Sequence, residues 1–160
     1  MAIKVFHDAG HGGHDSGATG NGLKEKDITL KLSKYFDKEM NKYSGVQTQA
    51  SRTTDKYLSL SERTTMANNW GADIFISFHV NAGGGYGFES YIYNKLSDTS
   101  NTANYRALIH DEVMKVSGMR DRGKKKQNFH VLRETKMSAI LTENGFIDSV
   151  DDTKKLKKKI

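Results

Sequence analysis

The chain has no cysteine and no proline. Without cysteine there is no disulfide, no thiolate zinc site and no cysteine nucleophile. Any metal must be held by His, Asp or Glu. Without proline, the turns fall to Gly, Asn, Asp and Ser. No apolar run reaches about 18 residues, so no segment has the pattern of a membrane-spanning helix. No signal-peptide pattern precedes the first strand either, because Met1-Ala2 leads straight into Ile3. That pattern predicts synthesis in the cytoplasm, with anything outside the cell reached only after release or lysis.

What remains is 160 residues, enough for one domain with a real core. The formal net charge is +6, from 25 basic and 19 acidic side chains. A basic surface favours polyanions such as nucleic acid, anionic lipid or an acidic wall polymer. It serves solubility equally well.

Apolar runs alternate with helical patterns, which predicts an α/β fold. Ile3–Phe6 and Asp73–Phe78 read as short buried strands, and Val46–Ala50 as a third. Residues 8–24 form a long glycine-rich loop, a kind that is usually functional. After it, Ile28, Leu32, Tyr35, Phe36 and Met40 make one apolar helix face. A second helix runs from Leu60 to Asn69, ending near Gly71. A third carries Tyr105, Leu108, Ile109, Val113 and Val116 and stops at Gly118. Phe88, Tyr91 and Tyr93 mark another strand, Phe129–Leu132 a short one, and Ala139–Thr142 a last apolar run ending at Glu143. From Asp151 the tail is helical in pattern and lysine-rich, with no room to pack.

Two histidines follow strands. His11 lies in Asp8-Ala9-Gly10-His11-Gly12-Gly13, and His79 in Ser77-Phe78-His79-Val80-Asn81. In open α/β sheets the ligand crevice lies beyond the carboxyl ends of the strands, so both can face one crevice. Two imidazoles and a carboxylate make a catalytic rather than structural zinc site. Glu25, 14 residues after His11 at the start of the first helix, is a candidate third ligand; it equally suits a helix N-terminus as a dipole partner. Glu143 is a candidate general acid/base, or a strand-end carboxylate paired with a surface cation. His7, His110 and His130 have no such placement, and His130 reads as a satisfied core histidine; His14, three residues after His11 in the loop, is a substrate contact or has no role. The basic run Arg120–Lys126, with Phe129 nearby, carries no RNA-recognition, helix-turn-helix or zinc-finger signature, so no nucleic-acid partner is expected.

Read together, these motifs form an ordered series. Asp8 to Gly13 is followed by Asp15-Ser16-Gly17-Ala18, Gly22 to Lys26, Ser51-Arg52-Thr53, Arg63, Ala72 to Ala82, Gly87-Phe88-Glu89, Asp121-Arg122-Gly123, Phe129 to Arg133 and Thr142 to Phe146. The series resembles the type 3 zinc-dependent N-acetylmuramoyl-L-alanine amidases over residues 3 to about 155. Gly83-Gly84-Gly85 and the segment 120–135 look most like the sporulation and phage-lysis amidases of bacilli. The resemblance implies a mostly parallel six-stranded sheet with helices on both faces. It implies zinc on His11, Glu25 and His79, Glu143 as catalytic acid/base, and peptidoglycan as the substrate. A monomer without membrane contact is expected. Ala9, Ser16 and Ser138 stand where the family often has proline, and none is a site residue. The family pattern also continues with a final helix, so residues 1–160 are expected to be a catalytic domain lacking that helix and any wall-binding domain.

Two other functions fit parts of this pattern. A zinc carboxypeptidase would need an arginine for a free carboxylate, and Arg133 is the nominee. A non-catalytic wall-binding module would have no need of Glu143.

Overall fold

The computed structural model describes residues 2–159. The strands are β1 (Ile3–Ala9), β2 (Thr19–Gly20), β3 (Leu23–Lys24), β4 (Val46–Ala50), β5 (Ile74–Asn81), β6 (Phe88–Tyr93), β7 (Asp121–Gln127) and β8 (Ser138–Phe146). The helices are α1 (Glu25–Met40), α2 (Leu60–Trp70), α3 (Asn101–Ser117), α4 (His130–Arg133) and α5 (Val150–Lys159). Six strands form one sheet in the order β4-β1-β5-β8-β6-β7, and β2 pairs with β3 in a small hairpin. Neighbours from β4 to β8 are parallel, β6 runs antiparallel to β8, and β7 runs parallel to β6. The fold is therefore the expected α/β sheet, mostly parallel.

Side chains alternate across the sheet, and each face buries its own cluster. On one face Phe6, Phe75, Ala139 and Leu141 meet Ala67 of α2 and Val131 and Leu132 of α4. On the other, Val80 and Ile147 meet Ile28 of α1 and Leu156 of α5, while Ile92 and Ile140 meet Ala103 of α3. Local chemistry fixes the helix ends. Ser59 and Glu62 close a reciprocal capping box before α2. Gly71 and Gly118 end α2 and α3 in the left-handed conformation.

Four elements differ from the sequence reading. Residues 129–132 are not a strand; Phe129 caps the one-turn helix α4, whose Val131 and Leu132 are both buried. A run of only four residues, Phe-His-Val-Leu, carries no period that separates helix from strand. The run Asp121–Gln127 is a strand, although its sequence has no apolar residue. Its place comes from pairing with β6, and its charges suit an exposed sheet edge. The long loop holds the β2–β3 hairpin. Finally, α5 does pack: Leu156 is 5% exposed, and Asp152 and Thr153 are buried.

Candidate metal centre and cleft

The site lies at the carboxyl end of β1 and β5, on the sheet face that carries α2 and α4. Asp8 in β1, Ser77 and His79 in β5, and Leu141 and Glu143 in β8 line up there through strand alternation and register. After β1 the chain turns sharply, and His11 adopts φ 62, a left-handed conformation rare outside glycine. Two buried arginines hold this turn. Arg52 donates to the carbonyls of Ala9 (3.0 Å) and Gly10 (3.0 Å). Arg63 donates to those of Ala9 (2.6 Å) and His11 (2.8 Å) and to Asp8 Oδ1 (2.7 Å). Ser77 donates to the other oxygen of Asp8 (2.7 Å). Burial pushes the Asp8 carboxyl up, but Arg63, Ser51 and Ser77 outweigh it and hold it below the usual range.

Glu25, the first residue of α1, reaches the same place. Its Oε1 lies 3.1 Å from His11 Nε2 and 3.1 Å from His79 Nδ1, and accepts the Val80 amide at 3.0 Å. Its Oε2 accepts the Ala18 amide at 2.9 Å. One ligand atom from each of His11, Glu25 and His79 lies within 4.8 Å of the other two. Burial alone would raise the Glu25 carboxyl; the hydrogen bonds and charges of the two imidazoles outweigh it and hold it far below the usual range. Burial likewise opposes charge on His11, but Glu25 and Asp15 raise it to about 9. Asp15 Oδ2 sits 2.8 Å from His11 Nδ1 and so fixes the ring through the nitrogen that faces away from Glu25. Two glycines leave room for the cluster. A Cβ on Gly10 would lie 2.3 Å from the His79 ring, and one on Gly17 would lie 2.7 Å from both Glu25 and His11.

Glu143 lies beside His79 across the β5–β8 pairing. It sits within its strand, not at the strand's end as the apolar run suggested, because β8 continues to Phe146. Its Oε2 is buried without a hydrogen-bond partner. Burial pushes this carboxyl up to about 7, with His79 pulling the other way and Glu25 and Glu89 adding to the rise. A cleft of about 260 Å³ is lined by His11, His79 and Glu143 together with Tyr57, Leu60, Phe129 and His130.

The other nominated residues lie elsewhere. His7 is 1% exposed and bonds Ser33, and His14 packs on the Tyr57 ring at the rim. His110 is buried between Ser90 and Asp121. Arg133 is exposed, bonded to Glu134 and Asn128, and does not line the cleft, so the carboxypeptidase reading loses its carboxylate anchor. The basic run is largely neutralised: Arg122 and Lys125 pair with Glu89, Lys124 with Asp111 and Lys126 with Asp98. The roles of Asp15, Arg52, Arg63 and Glu89 were not read from the sequence. The one local signal was Asp8, a carboxylate inside an apolar strand, which demands a buried cation.

The family model for N-acetylmuramoyl-L-alanine amidase, Amidase_3, matches residues 5–160. The chain belongs to this amidase family. It is 56% identical over 156 residues to the sporulation-specific N-acetylmuramoyl-L-alanine amidase of Bacillus subtilis (strain 168), covering 97% of this chain and 60% of that relative. It is 44% identical over 162 residues to the endolysin of Bacillus phage SPP1, covering 99% and 60%. Among solved structures, the N-acetylmuramoyl-L-alanine amidase of Clostridium difficile 630 superposes with a TM-score of 0.93 at 35% identity, covering 98% of this chain and 86% of that one. The chain thus spans about three fifths of the length of the curated relatives it matches. No helix among its described residues is long and apolar enough to cross a membrane.

Proposed function

We propose that the domain hydrolyses the amide between the lactyl group of N-acetylmuramic acid and L-alanine in peptidoglycan. Zinc would be held by His11, Glu25 and His79, with Glu143 as acid/base. The observation that carries this reading is the pairing of a compact His-Glu-His set with a buried, partnerless carboxyl on the adjacent strand. The donors fit zinc: two imidazole nitrogens and one carboxylate oxygen, with no sulfur and three protein ligands, as catalytic zinc sites have. The Asp15–His11 contact supplies the outer carboxylate that orients a ligating imidazole.

When bound, zinc supplies a Lewis acid for the scissile carbonyl and lowers the pKa of water toward about 7. The remaining work belongs to the chain. Glu143, poised near neutrality, accepts a proton from the attacking water and returns one to the departing alanine nitrogen. The left-handed turn at His11, clamped by Arg52 and Arg63, holds one imidazole at a fixed angle. Family membership supports the choice of bond.

The test is metal content together with product analysis on purified walls. About one zinc per chain and new N-terminal alanine, lost with a chelator and restored by zinc, are expected. Release of C-terminal residues, or full activity without metal, would overturn the reading.

A further inference from the structure

Of the exposed large apolar side chains among the described residues, two line the same cleft as His11, His79 and Glu143. They are Tyr57, 42% exposed, and Leu60, 54% exposed. Tyr57 is nonetheless held in place. Its ring packs on that of His14, with centroids 4.1 Å apart and 32° between the planes. Its backbone lies against Gly13, where an added Cβ would come 2.7 Å from the Tyr57 nitrogen. Asp55, two residues earlier, ties the same segments together by accepting the Gly13 amide at 2.8 Å and the Lys26 ammonium at 2.6 Å. A flat apolar ring that is fixed in position yet exposed in a ligand cleft is a surface for the ligand to cover.

We propose that Tyr57, backed by His14, is the platform for the sugar ring on the N-acetylmuramoyl side of the substrate. This rests on the amidase reading above. The sheet order separates two kinds of surface. His11 follows β1, His79 lies in β5, Glu143 in β8 and Glu89 in β6. Tyr57 touches the loop after β1, which places it on one side of His79 and Glu143. On the other side, Arg122 and Lys125 of β7 converge on Glu89. A substrate cut at the metal cluster also has two parts. Its acyl part is a neutral pyranose with apolar C–H faces, and its amine part is a peptide with ionised groups. A carboxylate over the Tyr57 ring would lose water and gain no hydrogen-bond partner. A sugar C–H face has no such cost, and it buries apolar area on both partners. The neutral part therefore belongs on the Tyr57 side, and the charged part toward β6 and β7.

The test uses zinc-loaded protein with Tyr57 intact, Tyr57→Ala or Tyr57→Phe, each in a Glu143→Gln background so that bound probe is not cleaved. Two probes differ only in the sugar: N-acetylmuramoyl-L-alanyl-D-isoglutamine and D-lactoyl-L-alanyl-D-isoglutamine. Affinity is read by NMR titration, and the quantity compared is the preference for the sugar-bearing probe. Tyr57→Ala should reduce that preference about tenfold, the scale of one well-packed aromatic contact. Tyr57→Phe should restore most of it, because the ring and not the hydroxyl carries the contact. Zinc content and Tm are followed in every protein. A protein with Tyr57 intact that binds both probes equally, or a Tyr57→Ala loss shared equally by the two probes, would overturn the proposal. So would a lost preference that phenylalanine does not restore, or one that follows zinc content or Tm. If the parent with Glu143 releases no alanine from walls while the preference still falls, the amidase reading fails and the platform stands.

Discussion

Glu89 and Glu143 face each other directly across antiparallel β6 and β8, yet the protein holds them in opposite states. Glu89 is 1% exposed and is bound by Arg122, Lys125, Tyr91 and Asn81. Burial opposes its charge, but Lys125, Arg122 and Tyr91 outweigh that and hold it below the usual range. Glu143, one strand away, is pushed up by burial and has no partner on Oε2. Neighbouring carboxyls driven apart in this way are a recurrent mark of divided roles, one fixed as a charge and one free to exchange protons.

Glu143→Gln should therefore keep the fold and about one zinc per chain while losing about 10²–10⁴ in kcat, the usual contribution of a general acid/base. Zinc analysis and wall-clearing assays on the same sample check this. Loss of zinc along with activity would make Glu143 a ligand instead.

Asp15→Asn should weaken zinc binding by about 10–100-fold, because it removes the carboxylate that orients His11. His11→Ala should be harsher and leave the protein without stoichiometric metal. Competition with a chromogenic chelator ranks the three proteins. Equal affinity for Asp15→Asn and the parent would mean that the contact is incidental.

Gly10→Ala tests the close approach of backbone and ring. The added Cβ would sit 2.3 Å from the His79 imidazole, so the ring must move. Zinc content and activity should fall together, while far-ultraviolet circular dichroism stays like the parent's. Parent-like zinc and activity would show that the ring has room to shift.

The Asp8–Arg63 pair sets an acid limit on stability. The folded Asp8 carboxyl is held below its unfolded value of about 3.9, so its contribution is complete above that value. It is lost as pH falls through the lower, folded value. Asp8→Asn should cost about 3–5 kcal/mol at pH 7, since it strands the Arg63 charge in the interior. Its urea midpoint should also depend less on pH than the parent's below about pH 4. Parallel pH profiles for the two proteins would show that other carboxylates set the limit.

The elements that sequence made legible are those whose own pattern fixes them. β4 spans Val46–Ala50 as read, and Gly71 and Gly118 stop their helices where expected. Elements fixed by partners were not legible. β7 is a strand because β6 offers it an edge, and α4 is a helix because Val131 and Leu132 must enter one core side by side. The site divides in the same way. His11 and His79 stand out by following apolar strands, and the structure brings them to Glu25. The arginine clamps and the partnerless nitrogen of His130 depend on chain segments far apart in sequence. His130 read as a satisfied core histidine, but it is half-buried, lines the cleft and leaves its Nε2 without a partner.

The antiparallel step between β8 and β6 shapes more than the sheet. Because β6 runs backward, its first residues rather than its last lie at the carboxyl ends of β5 and β8. A single short connection, residues 82–87, therefore joins His79 and Asn81 at one end to Glu89 at the other. The connection rests on backbone amides: Gly83 and Gly84 donate to Asp148, and Gly87 donates to Asp152. It is in effect a replaceable part. Its tip, at Gly83 and Gly84, faces open space, while a side chain at Gly85 or Gly87 would strike Phe146 or the Arg120 carbonyl, so change is confined to the tip and both sockets, in β5 and β6, stay put. Variation at that tip would leave the proposed hydrolytic groups where they are.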